Sequence, residues 1–274
     1  MPLIKKLKTA SNVLKTRGLK GVFSILKAKF DRSYRPDETQ ILFDLLKSAN
    51  QSGLMIDVGA HHGSSLAPFA RAGWQVIAFE PDSNNRNILT TTFGTFENVI
   101  IDPRACSDHN QPAATLFAST ESTGVSGLSA FLNSHEASET VPVTTLAAAL
   151  QDYGLTANAI DFLKIDTEGF DLMVLQGFPW DAAPHPRVIL CEFENAKTIP
   201  LGYDIHQLAA FLVDRNYQLV ISEWYPIKAY GEMHRWRRFS AYPCQLADPK
   251  GWGNILAVND QALYLQLSEL FNLK

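Results

Sequence analysis

Leu54-Met55-Ile56-Asp57-Val58-Gly59-Ala60-His61-His62-Gly63 begins as a short apolar run and ends in a glycine turn. The run, interrupted only by Asp57, reads as a strand buried on both faces. Its glycines allow a tight turn and close approach of a ligand, and the helix expected over 64–72 offers that ligand its unpaired N-terminal N–H groups. Outward from this unit, strand-like segments at 75–79, 97–101, 160–165, 187–193, 218–222 and 254–258 alternate with helical patterns at 83–92, 146–152, 170–176 and 204–214. A further helical pattern carrying Ile41, Leu42, Leu45 and Leu46 precedes them. This alternation predicts an α/β fold, a mostly parallel, seven-stranded, Rossmann-like sheet with helices on both faces. Ligands of such sheets sit beyond the carboxyl ends of the strands, where the strand order reverses.

Two stretches break the rhythm. Residues 119–140, rich in Ser, Thr, Gly and Glu, read as a loop or lid. Residues 223–252 are crowded with Trp224, Tyr225, Tyr230, His234, Trp236, Phe239, Tyr242 and Trp252, an unusual density for a connection. Leu263, Leu267 and Leu270 mark a final helix that completes the core or pairs subunits in a homo-oligomer.

The 274 residues are 46% hydrophobic and 19% charged, which excludes a disordered or collagen-like chain. No apolar run approaches the ~20 residues of a membrane-spanning helix. Three scattered cysteines offer neither a disulfide framework nor a zinc motif, so a cytoplasmic protein is expected. The net charge of −4 is unevenly spread: residues 1–35 carry ten Lys/Arg against Asp31 alone, leaving −13 for the rest. Leu3, Leu7, Ala10, Leu14 and then Leu19, Val22, Phe23 and Leu26 recur at helical spacing among these lysines. Residues 1–35 therefore read as a basic amphipathic helical arm ahead of a domain at 36–274. The arm either lies on an anionic membrane surface or packs on its own domain or a second subunit. The acidic body argues against nucleic acid as a partner.

Glu80, in Phe79-Glu80-Pro81-Asp82, ends the second strand, where nucleotide-binding sheets present a carboxylate to ribose hydroxyls. A dinucleotide fingerprint would need glycine at positions 61 and 64, which hold His61 and Ser64, so the NAD reading is weakened. Further on, Leu163-Lys164-Ile165-Asp166-Thr167-Glu168-Gly169 places charges at a strand's carboxyl end, and alternation puts Lys164 and Asp166 on one face. That cluster either holds a hydroxyl and receives its proton or ties the strand to its neighbours as an ion pair.

Asp57-Val58-Gly59-Ala60 with Gly63, then Phe79-Glu80-Pro81, Val143-Thr144-Thr145-Leu146, and Asp161 through Phe170 together resemble the FkbM-type methyltransferases. The resemblance spans roughly residues 54–193. It implies a class I methyltransferase fold, S-adenosylmethionine as cofactor, and O-methylation of sugars or natural products. By motif match, Asp57, Gly59 and Gly63 line the methionine side, Glu80 the ribose, and Asp166 and Glu168 the reaction centre; Ala60, His61 and Pro81 beside them are further cofactor-binding candidates, although the family often has Asn where His61 stands. Asp102 and Ala105, with Cys106, are expected beside the adenine.

Methyl transfer from a sulfonium is an in-line displacement, so alignment of the acceptor oxygen and a base for its proton are the protein's main tasks. Asp166, His62 and His234 are candidate bases, with Glu168 and Lys164 beside them. Glu192 and Glu194 end a strand that points toward the same cleft; no ligand spacing demands a metal, and none is expected. Trp224, Tyr230 and Trp236 are candidate platforms for a saccharide or glycolipid acceptor, against the alternative that the aromatics merely cap the sheet. The favoured function is an S-adenosylmethionine-dependent O-methyltransferase acting on a saccharide. A nucleotide-cofactor oxidoreductase and a non-catalytic binding module remain as alternatives.

Overall fold

Helix α1 (Glu38–Ala49) leads into strand β1 (Leu54–Val58), and all five residues of that strand are buried, as expected of a central parallel strand. The computed structural model describes residues 35–49, 52–119, 126–130, 135–155, 160–182, 184–227 and 233–273. The basic arm therefore lies outside the described residues except for Arg35, and Tyr230 lies outside them too. Among the described residues, no helix is long and apolar enough to cross a membrane.

After β1 come α2 (Ala67–Arg71), β2 (Gln75–Phe79), α3 (Ser83–Phe93) and β3 (Val99–Asp102). A side excursion follows, formed by β4 (Ala105–Cys106), β5 (Gln111–Ser119) and β6 (His135–Thr144). The main rhythm resumes with α4 (Leu146–Asp152), β7 (Phe162–Ile165), α5 (Asp171–Gln176) and β8 (Val188–Glu194). Helix α6 (Asn195–Thr198) runs into a 3-10 turn, then come α7 (Ile205–Val213), β9 (Gln218–Trp224), β10 (Trp236–Ala241), β11 (Trp252–Val258) and α8 (Gln261–Phe271). Side-chain caps set several of these starts: Asp82 accepts from Asn84 and Asn85 N–H, Thr145 from Ala148, Asp204 from His206 and Gln207, and Asp260 from Ala262 and Leu263.

The main sheet runs β10-β9-β11-β8-β7-β1-β2-β3. Strands β3, β2, β1, β7 and β8 are parallel, while β11 lies antiparallel between β8 and β9. The order reverses at β1, which pairs with β2 on one side and β7 on the other, so the crevice expected of such sheets opens beyond the carboxyl ends of β1 and β7. Strand alternation splits the core in two. Ile56, Ile77, Leu163 and Ile189 face a layer with Leu146, Val174, Leu175, Leu208 and Leu212, whereas Met55, Val76, Phe162 and Val188 face Leu42, Leu46, Phe69, Leu89, Leu263 and Leu267.

The main sheet has eight strands rather than the expected seven, because residues 236–241 return along β9 as an antiparallel edge strand. Arginines at 237 and 238 hide that strand from an apolar pattern. A second sheet, β4-β6-β5, also takes up the end of the segment expected to be a loop, with residues 135–140 opening β6. Only Ala105, Leu116, Val141 and Val143 build its small core, and its outer face is polar, so Glu136 and Glu139 sit in regular strand. Ser83 N–H donates to Glu139 Oε1 at 2.8 Å, and Phe117 and Gly127 exchange backbone bonds of 2.9 and 3.0 Å. These contacts hold the second sheet over the crevice.

Candidate active site

The turn after β1 is shaped by backbone. Gly59 has φ of 81°, and both Gly59 N–H and Ala60 N–H donate to Phe79 O at 3.0 Å, clamping the turn to the end of β2. A β-carbon at Gly59 would stand 1.9 Å from the Asp166 carbonyl oxygen, so only glycine lets β1 and β7 end so close together. His61 also takes a positive φ, 50°, which turns its N–H toward the neighbouring carboxylate.

That carboxylate is Glu80, buried just past β2. Its Oε2 accepts from His61 N–H at 2.6 Å and its Oε1 from Asp82 N–H at 2.9 Å. Burial pushes its carboxyl up to about 7, against the pull of those two N–H groups. Arg86 fixes the following turn by donating to Glu80 O at 2.9 Å and Pro81 O at 2.7 Å.

The two strand ends enclose a cavity of about 330 Å³. Its walls include Gly59, Ala60, His61, Glu80 and Pro81 on one side, Arg104, Ala105, Cys106 and Leu116 at one end, and Lys164, Asp166, Thr167 and Glu168 at the other. Ser126, Gly127 and Leu128 close over it. Asp102, expected on this wall, is not part of it. Arg104 holds its carboxylate at 2.7 Å and Tyr153 Oη donates to it at 2.8 Å, so Arg104 stands at the cavity in its place. Arg104 also reaches Asp152 at 2.6 Å, which fixes the guanidinium from two sides.

Below the turn, Asp57 and Lys164 are paired residues of adjacent strands, and their side chains meet in the interior. Lys164 Nζ lies 3.1 Å from Asp57 Oδ1 and 3.5 Å from Asp166 Oδ2, and donates to Gly59 O at 3.2 Å. Ser65 Oγ donates to the other Asp57 oxygen. Burial alone would lower the Lys164 ammonium, but Asp57 and Asp166 hold it above its ordinary value. Burial pushes Asp57 up while Lys164 pulls it back. We read the pair as ionised, because Lys164 faces two carboxylates and a carbonyl. Asp166 is the half-exposed member, its side chain 43% accessible at the cavity wall.

A second charged cluster adjoins the first. Glu168, at φ of 56°, turns into the interior, where Lys197 Nζ lies 2.5 Å from its Oε2, 2.8 Å from Glu194 Oε2 and 3.2 Å from Glu192 Oε2. Burial raises Glu168 to about 7 against the opposing charge of Lys197, and raises Glu192 as well. Asp171, pushed up to about 6 by burial and by Asp166, accepts from Thr167 and from Glu192 N–H. Asp166, Glu168 and Glu192 each bring one oxygen within 4.8 Å of the others, a spacing that suits a hard cation. Lys197 already supplies positive charge to both glutamates. Sequence reasoning missed Lys197, although its place three residues after Glu194 on a strand-to-helix junction is a usable signal.

Other expected residues lie elsewhere. The His62 ring bonds Asn85 Oδ1 at 3.2 Å and stacks on His61, with ring centroids 3.7 Å apart. Gly63, at φ of 85°, backs onto Phe93 and Leu89 rather than the cavity. His234 meets Trp252 edge-on at 5.2 Å. Trp224 is buried, with its N–H on Glu38 Oε1 at 3.1 Å, and Trp236 N–H reaches Ser222 Oγ at 3.2 Å. None of His62, His234, Trp224 or Trp236 lines the cavity, and Glu192 and Glu194 stand behind its lining residues, joined to Glu168 through Lys197.

A parallel sheet that reverses at its first strand, an antiparallel strand inserted between β8 and β9, a glycine turn after β1 and an acid after β2 define a class I methyltransferase fold. The chain belongs to the FkbM methyltransferase domain family, whose model matches residues 57–219, from Asp57 to the second residue of β9. Among solved structures it is similar to the precorrin-6y C5,15-methyltransferase of Geobacter metallireducens, at 14% identity and TM-score 0.43, covering 84% of this chain and 92% of that one. It is also similar to an rRNA methylase of Streptococcus thermophilus, at 10% and 0.42, covering 83% and 98%. Cofactor-bound Rv0187 from MTB resembles it at 13% and 0.40, covering 86% of each chain. No curated protein sequence matches the chain.

Proposed function

We propose that the protein is an S-adenosylmethionine-dependent O-methyltransferase whose acceptor is a saccharide hydroxyl. The observation that carries this reading is one cavity with a buried carboxylate, Glu80, on one wall and two acids, Asp166 and Glu168, at its far end. The residues fit the cofactor. The Gly59 turn leaves room that a β-carbon would take, Glu80 can accept from two ribose hydroxyls, and Arg104 with Ala105, Cys106 and Leu116 makes a partly apolar end for a base. When bound, the cofactor supplies a methyl group already activated on a sulfonium.

The chain's own residues then have to align a hydroxyl and remove its proton. Lys164 pins Asp57 and Asp166 and through them the two strand ends, which fixes the geometry of the crevice. Glu168, held near neutrality at about 7, is the acid best matched to take a hydroxyl proton at physiological pH, and Asp166 beside it can orient the same hydroxyl. Ser126, Gly127 and Leu128 add a further wall to the cavity. Glu168→Gln is expected to keep donor affinity within about twofold and to lower turnover by 10²-fold or more. Transfer of labelled methyl to a panel of saccharides measures this; unchanged turnover would remove Glu168 from the chemistry.

Donor affinity should also depend on pH. Ribose hydroxyls donate to ionised Glu80, so binding releases a proton wherever that group is still protonated. Affinity is therefore expected to fall as pH drops through about 7, by roughly tenfold per pH unit well below it. Calorimetry at pH 6 and pH 8 reads the effect, and Glu80→Gln should flatten it.

A further inference from the structure

Residues 235–238, Arg-Trp-Arg-Arg, stand on the same rim of the sheet as the acid cluster. The register fixes this: Trp236 and Trp252 both pair with Trp224, and Trp252 also pairs with Glu194. Tyr225, one residue past β9, therefore stands two strand spacings, about 10 Å, across the sheet from the level of Glu194, and roughly 14 Å across from the line of β7.

The strand is not regular there. The pairing of β10 with β9 shifts between Trp236 and Arg238, which makes Arg237 the extra residue of a β-bulge. Bulges re-aim side chains, and this one has that result. Arg238 bonds Glu223 Oε2 at 2.8 Å, while Arg235 and Arg237 both lie over the Tyr225 ring, at 4.6 and 4.1 Å from its centroid. Glu223 has little left for a second arginine, because its Oε1 already accepts from Ala247 N–H at 2.8 Å and from Asp248 N–H at 3.3 Å, leaving Arg237 a contact of 3.6 Å. Arg237 Nε is buried and has no hydrogen-bond partner among the described residues. Arg235 is exposed and has no acidic partner among the described residues.

We propose that Arg235, Arg237 and Tyr225 form a subsite for a phosphoryl group carried by the acceptor. The inference rests on the methyltransferase reading and names its substrate class: a saccharide longer than one ring, or one joined to a diphosphate, whose anionic end lies on the arginines while a hydroxyl reaches Glu168. Two guanidiniums stacked on one ring are held in place before binding and present planar donor forks, the geometry that phosphate oxygens accept. A lysine pair could supply the charge but not the fork.

Full-length protein saturated with S-adenosylhomocysteine, titrated with inorganic pyrophosphate at low salt, tests this. Saturable binding is expected, weakened at least tenfold in Arg235→Ala/Arg237→Ala and less in Arg237→Lys. Lys47→Ala/Arg71→Ala, which removes equal charge elsewhere, should leave it unchanged. Equal weakening in the two double variants, or no pyrophosphate binding to the wild type, would overturn the subsite. So would arginine-dependent binding to phosphatidic acid vesicles without pyrophosphate binding, which assigns the arginines to a lipid surface. The heat of S-adenosylhomocysteine binding is read separately: donor binding without pyrophosphate binding sinks this inference alone, whereas pyrophosphate binding without donor binding sinks the methyltransferase reading and with it the acceptor role of the subsite. Unchanged thermal melting of the variants guards against misfolding.

Discussion

Lys164→Met is expected to lower the stability of the protein by about 3–5 kcal/mol, the usual cost of stranding one partner of a buried ion pair. The ammonium joins Asp57, Asp166 and the Gly59 carbonyl across two adjacent strands. Without it, fully buried Asp57 keeps, among the described residues, the Ser65 hydroxyl and must take up a proton or remain an unpaired charge. The sign of the pH dependence follows from the direction of the shift. The folded value of Lys164 is raised, so its contribution is fully present below the ordinary lysine value and is lost only as pH rises through the higher folded one. At neutral pH the whole effect is therefore in play. Urea unfolding reads it as a lower midpoint. The double variant Asp57→Asn/Lys164→Met should recover a large part of the loss, since no charge is then stranded. A loss under about 1 kcal/mol for Lys164→Met would mean that the pair is not the buried bridge described.

Glu80→Ala is expected to weaken donor binding by roughly 10²-fold or more. Two hydrogen bonds from ribose hydroxyls to a charged acceptor contribute about 1.5–3 kcal/mol each, and each 1.4 kcal/mol is tenfold. Part of the loss is indirect, because His61 and Asp82 N–H also lose their acceptor and the turn that bounds the cavity loosens. Glu80→Gln separates the two effects. It keeps the shape and one strong acceptor, so its affinity should fall between those of the wild type and Glu80→Ala. Equal affinity in all three would place the donor's ribose away from β2.

The parallel sheet was legible wherever strands were buried on both faces. Residues 54–58, 75–79 and 218–222 read as apolar runs, and the helical patterns at 83–92, 146–152 and 204–214 stand as helices Ser83–Phe93, Leu146–Asp152 and Ile205–Val213. Legibility ended where one face met solvent. Strand β6 alternates glutamates and small residues over a four-residue core, and β10 carries two arginines in its middle, so neither shows an apolar period.

In the site, residues held by local backbone chemistry were readable. Gly59 with its close approach, Glu80 at the end of β2, and Lys164 and Asp166 on one strand face follow from spacing alone. Residues whose roles depend on distant partners were not. Asp102 looked like a wall residue until Arg104, two positions on, took up its carboxylate. Trp224 looked like a sugar platform, yet its N–H is used by Glu38, 186 positions earlier in the chain. Lys197 carried no motif, and its importance comes from three glutamates that two separate segments bring together.

The most direct test of the central claim is calorimetric titration of the full-length protein with S-adenosylmethionine and its demethylated product, with NAD alongside. The account predicts saturable binding of both sulfur-containing ligands at a single site and none of NAD. Absence of binding to either in a folded sample, or saturable binding of NAD alone, would contradict it.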